Sequence, residues 1–132
     1  MKILALDIGD QWTGVAISDA IGMLARPYTT VLTDALIPFL GPLCVKEKIQ
    51  TVVLGYPITM RGTISEQTEK VIRYKKKLEL EFPTLIFVFQ DERLSSKHAT
   101  GVKKAFTKED KISTHARAAA FILTCYLERS RK

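Results

Sequence analysis

The chain has 132 residues, of which 46% are apolar and 26% charged, with a net charge of +6. This length suits one hydrophobic core, and the composition excludes disordered, collagen-like and coiled-coil chains. No apolar run approaches the roughly 18 residues that would span a membrane.

The opening run Ile3-Leu4-Ala5-Leu6 is interrupted by Asp7, a carboxylate where a secretion signal needs apolar residues, and no small-residue cleavage site follows. Residues 2–8 therefore read as a buried central strand that ends at Asp7 or Ile8, stopped by Gly9. Gly14 to Ser18 reads as a second strand, with residues 9–14 as a tight connection. Arg26 to Leu32 is a third, weakened by Pro27. Residues 34–48 contain Pro38, Gly41 and Pro42, which predict a broken or late-starting helix. Thr51 to Leu54 is a short β-branched strand, and residues 55–63 form a Gly- and Pro-containing loop. Ser65 is the N-cap of a helix that Pro83 stops. Thr84 to Phe89 is another buried strand, followed by an abrupt polar break. Residues 95–106 suggest a short helix. Ile112, Ala116, Ala119, Leu123 and Tyr126 then share one face of a long helix, with Ser113 or Thr114 as its N-cap. Strands leading into helices require a partly parallel sheet with helical covers, and the opening hairpins add antiparallel pairs. The expected fold is α/β, a five-stranded mixed sheet flanked by helices, in a single domain over residues 1–132. Cys44 and Cys125 lie in apolar stretches without metal-ligand spacing, which indicates free thiols in a cytoplasmic protein.

The charge is unevenly placed. Residues 93–132 hold ten Lys and Arg against three acidic residues, whereas residues 1–92 hold ten against eleven. A basic segment on an otherwise balanced chain points to a polyanionic partner.

Three features carry candidate chemistry. Asp7 is a charge at the end of a buried strand, which is costly without a partner or a cation. The carboxyl end of a central strand is also where open α/β sheets place ligands. Asp91 and Glu92 follow the other strongly apolar strand in the same way. Alternation of side chains allows only one of the two into the mouth of the sheet. Strand-end carboxylates brought together at one sheet edge suit a hard cation such as Mg²⁺. Lastly, Asp7, Gly9 and Gly14 give the pattern Asp-x-Gly-x-x-x-x-Gly, whose glycines let backbone N–H groups approach an anion. That pattern occurs in nucleases of the ribonuclease H type and in two-lobed ATPases, for which this chain is too short.

On four blocks in order, the chain resembles the YqgF family, also called RuvX, of ribonuclease H-like nucleases. The blocks are Leu6-Asp7-Ile8-Gly9 with Gly14-Val15-Ala16; Val53 to Pro57 with Met60 and Gly62; Asp91 to Ser96; and Ala118 to Leu123 with Tyr126-Leu127. The resemblance implies a metal-dependent hydrolase of phosphodiester bonds, with pre-16S rRNA 5′-end processing in ribosome biogenesis as the activity. Cleavage of Holliday-junction-type DNA is the alternative. Two departures stand out. The loop Gly-Leu-Pro-x-Asn-Met-Asp-Gly of the family has Thr59 and Arg61 at its Asn and Asp positions, and an Arg there suits a phosphate contact. The Asp that normally opens the last helix, taken as a third carboxylate, corresponds to His115, whose imidazole can ligate a metal or act as a base.

The reading is thus that Asp7, Glu92 or Asp91, and His115 form the catalytic set, with Asp7, Asp91 and Glu92 holding Mg²⁺ or Mn²⁺. Arg61, Arg93, Lys97, Lys103, Lys104, Lys108 and Lys111 would hold the backbone of an RNA (pre-rRNA) or structured DNA partner, with no membrane involved. Trp12 is the one stacking candidate. Junction resolution expects a homodimer, and RNA processing is compatible with a monomer. A nucleic-acid-binding assembly factor, its site decayed at His115, is the non-enzyme alternative.

Overall fold

The computed structural model describes residues 2–57, 65–91 and 108–130, with side chains in the last stretch described from residue 114. The first three strands, β1 (Ile3–Ile8), β2 (Trp12–Ser18) and β3 (Ala25–Leu32), form an antiparallel meander. A 3-10 turn (Thr33–Ala35) leads into helix α1 (Leu36–Lys46). Strand β4 (Thr51–Tyr56) then pairs parallel to β1, helix α2 (Glu66–Glu81) follows, and β5 (Ile86–Asp91) pairs parallel to β4. The last element is helix α3 (Lys108–Ser130). The sheet order is β3-β2-β1-β4-β5, the mixed five-stranded arrangement expected from the alternation of apolar runs and helices.

Strand alternation divides the core in two. Leu4, Leu6, Val15, Ile17, Val52, Leu54 and Phe87 point to one face, where Leu36, Leu40 and Leu43 of α1 and Val71 and Leu78 of α2 cover them. Ala5, Ala16 and Val53 point to the other, under Ala119, Ile122, Leu123 and Leu127 of α3. β1 is central and buried on both faces, as its unbroken apolar run requires.

Several boundaries differ from the sequence reading. Helix α1 runs unbroken through Gly41 and Pro42. Its fully buried Leu36 and Leu40, with Leu43 one turn on, form a stripe whose burial outweighs one lost backbone bond. β2 starts at Trp12, so Gly14 lies inside a strand and not in the connection, which closes with Gly9 N donating to Trp12 O at 3.0 Å. Helix α3 begins at Lys108, so Ser113 and Thr114 are interior residues and not caps. β5 runs two residues later than predicted, ending on Asp91 itself. Ser65 does cap α2. Its hydroxyl accepts from Thr68 N at 3.2 Å and Thr68 Oγ1 accepts from Ser65 N at 3.2 Å, a reciprocal capping box. Pro27 sits on the edge strand β3, where a missing N–H is tolerated. Neither Cys44 nor Cys125 is in a disulfide. The predicted helix at 95–106 lies outside the described residues. Among the described residues, no helix is long and apolar enough to cross a membrane.

Candidate active site

Asp7 is the fifth of six residues in β1, half-buried, and in register with Gly14 of β2. Its parity matches Ile3 and Ala5, so it faces α3. The contact that defines this end of the sheet is between Gly14 and that helix. A Cβ placed on Gly14 would lie 1.9 Å from His115 O, 2.3 Å from His115 C and 3.0 Å from Ala116 N. Only a residue without a side chain lets the helix backbone lie directly on the strand. The small residues Ala5, Ala16 and Ala119 lie on the same face as this contact. The backbone of His115, a half-buried residue, sits over the strand position paired with Asp7.

The parallel pairs bring the second acidic candidate to the same sheet edge. β1, β4 and β5 all end here, and β5 lies two strands from β1, about 10 Å at the usual strand spacing. Parity then separates the neighbours. Asp91 is in register with Tyr56 and shares the parity of Phe87 and Phe89, which pack in the α1–α2 core. Gln90 has the parity of Val88 and so faces α3, as Asp7 does. It is buried, its Nε2 reaches Asp91 O at 3.5 Å, and its Oε1 has no hydrogen-bond partner among the described residues. Gln90 escaped the sequence reading because an amide after an apolar run looks like a strand end. No local signal marks it, because the face it occupies is set by the register of β5 on β4.

The turn after Asp7 is held from the opposite face. Gln67 Nε2 donates to Ile8 O at 2.8 Å, and Thr33 Oγ1 donates to Gly9 O at 2.8 Å while hydrogen-bonding Thr13 Oγ1 at 2.9 Å. Lys70 Nζ pairs with Asp10 Oδ1 at 2.8 Å, and this hydrogen bond raises the lysine's pKa. The turn that follows the carboxylate is therefore anchored by side chains of α2 and the 3-10 turn.

The described donors can be tested against a divalent cation. Asp7 offers the oxygen such an ion takes, but among the described residues no three His, Cys, Asp or Glu side chains come together to hold a metal. Asp91 has the wrong parity to join Asp7 within the strand, and Glu92 lies outside the described residues, as do Arg61, Arg93, Lys97, Lys103 and Lys104. Lys108 and Lys111 are on the first turns of α3, with their side chains outside the described set. Trp12 is half-buried at the start of β2, in register with Leu32.

The RuvX family model, described as Holliday junction resolvase, matches residues 1–129. Relatives named "Putative pre-16S rRNA nuclease" match over nearly the whole chain. The protein from Clostridium kluyveri is 37% identical over 141 residues, covering 100% of each chain. That from Bacteroides thetaiotaomicron is 33% identical over 135 residues, covering 98% of each. Among solved structures, T. thermophilus RuvC in complex with a Holliday junction substrate superposes with a TM-score of 0.59 at 13% identity, covering 99% of this chain and 96% of that one. The Fowlpox virus resolvase in complex with Holliday junction DNA gives 0.53 at 12% identity, covering 100% of both. At such identities the likeness establishes the fold, which is ribonuclease H-like.

Proposed function

The chain belongs to the RuvX family, and from that membership we propose that it is a metal-dependent nuclease that processes the 5′ end of the 16S ribosomal RNA precursor. The observation that carries this reading is the packing of the His115 backbone onto Gly14, beside Asp7, at the carboxyl end of the central strand. In α/β sheets that end is where ligands bind. A strand-end carboxylate held there by a rigid turn supports phosphodiester chemistry.

Asp7, with Glu92 or Asp91, would hold Mg²⁺ or Mn²⁺. Asp91, on the other parity, is the weaker ligand of the pair. When bound, the ion lowers the pKa of water and neutralises charge at phosphorus. His115, at the position where the family pattern has a carboxylate, would take a proton from water or complete the ligand set as neutral imidazole. One negative charge fewer favours Mn²⁺, which accepts imidazole more readily than Mg²⁺. Arg61, Arg93 and the lysines at 97, 103, 104, 108 and 111 hold the nucleic-acid backbone.

The test is cleavage of a precursor RNA spanning the mature 5′ end, with a four-way DNA junction assayed in parallel. The expected result is Mn²⁺-supported cleavage of the RNA, abolished in Asp7→Asn and shifted toward Mg²⁺ in His115→Asp. Cleavage confined to the junction would favour resolution, the reading that the fold's likeness to junction-bound RuvC supports. Binding with no Asp7-dependent cleavage of either substrate would leave an assembly factor.

A further inference from the structure

A second feature of the same sheet edge lies on the face away from α3. A cleft of about 430 Å³ opens between α2 and the turn that follows Asp7. Ile8 and Gly9 line it on one side, and α2 lines it on another with Lys70, Arg73 and Lys77. These stand at i, i+3 and i+7, one stripe of the helix. Tyr74 lies between them and donates its hydroxyl to Thr33 O at 2.8 Å, so the wall is fixed to the opposite rim. That rim carries Asp10 and Asp34. Asp10 is occupied by Lys70. Arg73 and Lys77 are exposed, and neither forms an ion pair with a described residue; Lys77 lies over the Tyr74 ring, 5.7 Å from its centroid. The cleft is thus polarised, with free positive charge along α2 and the remaining carboxylate, Asp34, across from it.

We propose that this cleft is a phosphate-binding subsite in which Arg73 and Lys77 hold a backbone phosphate of the nucleic acid whose scissile phosphate lies at Asp7. The inference rests on the nuclease reading for its occupant, and the geometry supplies the rest. Asp10 is three residues from Asp7, a reach of at most about 10 Å. The subsite therefore takes a phosphate within a few nucleotides of the cut. A strand crossing the carboxyl edge of the sheet meets Asp7 on one face and α2 on the other. The guanidinium of Arg73 suits a phosphate in two-point contact, and Lys77 adds a point charge. The Lys70–Asp10 pair holds a third cation in reserve beside them.

The test is equilibrium binding, by fluorescence anisotropy, of a labelled single-stranded RNA of mixed sequence. It is titrated over a range of KCl concentrations without divalent ions, so that nothing is cleaved. Arg73→Ala/Lys77→Ala should weaken binding about tenfold for every sequence. It should also make the slope of log K against log salt shallower by about 1.4, from about 0.7 per single-strand contact. Asp10→Asn, which frees Lys70 and removes a negative charge, should tighten binding and steepen the slope. A helix-surface role without ligand contact would produce neither change. Melting curves of each variant exclude unfolding, and Arg73→Lys should keep the slope if the double alanine variant proves unstable. An unchanged slope in the folded double variant, or weaker binding in Asp10→Asn, overturns the subsite. The nuclease reading fails separately. If the wild-type chain shows the cleft-dependent slope yet cleaves nothing, the subsite stands and that reading falls. Asp7-dependent cleavage with an insensitive slope gives the reverse.

Discussion

The two faces of the sheet are built on opposite principles. The α1–α2 face is filled by large aliphatic side chains, Leu4, Leu6, Leu36, Leu40, Leu54 and Leu78, all fully buried. Such layers hold helices at ordinary packing distance and supply most of the apolar burial. On the α3 face the strands present Ala5, Gly14 and Ala16 alongside Val53, beneath Ile122, Leu123 and Leu127, and at Gly14 the helix backbone touches the strand backbone. The small strand residues at this contact bury little area themselves but let the helix sit close and fix its position. The carboxylate Asp7 has the parity of the close-packed face, and the basic cleft belongs to the other.

The largest effect should come from filling the close contact. Gly14→Ala puts a methyl 1.9 Å from His115 O, and relief to a contact of about 3.5 Å needs a shift of roughly 1.5 Å in α3. Backbone cannot yield as a flexible side chain would. A displacement of this order beside a catalytic group costs about 10²-fold in rate, with a stability loss of about 3 kcal/mol. Cleavage kinetics on the folded fraction, with a melting curve, separate the two, and an unimpaired rate would mean that α3 does not position the site.

The opposite face should respond the other way round. Leu40→Ala removes a fully buried side chain of α1 and should cost about 3 kcal/mol. Denaturant unfolding measures this, while the cleavage rate per folded molecule stays at the wild-type value. A selective rate loss would show that the two faces are not separable.

Smaller perturbations sharpen the contrast. Ser65→Ala breaks the capping box of α2 and should cost about 1 kcal/mol, seen as a fall of roughly 4 °C in melting temperature. Cys44, on the Leu-rich face, has its thiol pKa pushed up by burial to about 11, from 9.0. The fold thus favours the protonated thiol, and the stability linked to it is fully present below about pH 9 and lost as pH rises toward 11. Alkylation at pH 8 followed by peptide mapping should find Cys125, which is only half-buried, modified well before Cys44. Equal rates at the two thiols would mean that the Leu-rich face opens more readily than its packing implies.

What the sequence revealed and what it hid follow from the range of each interaction. Strands β1, β2, β4 and β5 are legible as short apolar runs, the exposed edge strand β3 less so, and the Ser65 cap is a local bond between residues three apart. Asp7 stands out because a charge in such a run is anomalous. The continuity of α1 through Pro42 was hidden, because the burial that outweighs the proline depends on partners in other elements. Gly14 was read as part of a turn suited to an anion, although its purpose is a contact with a helix about a hundred residues away. The parity that sets Asp91 apart from Asp7 depends on the pairing of β1, β4 and β5, which no local pattern states. Segment charge counts also missed the α2 stripe, since Glu66, Glu69, Glu79 and Glu81 offset its cations along the chain without facing the cleft.

The contact between Gly14 and His115 has a consequence for how the molecule comes into being. The meander β1-β2-β3 pairs neighbours in sequence and can close early, during synthesis, at little entropic cost. Its alanine-lined face has no cover until α3 is made. A nascent or truncated chain without that helix carries Asp7 on an incomplete surface, with His115 absent. On the proposed reading, catalytic competence would be tied to near-complete translation, and a fragment released early would carry Asp7 without the helix that packs over Gly14.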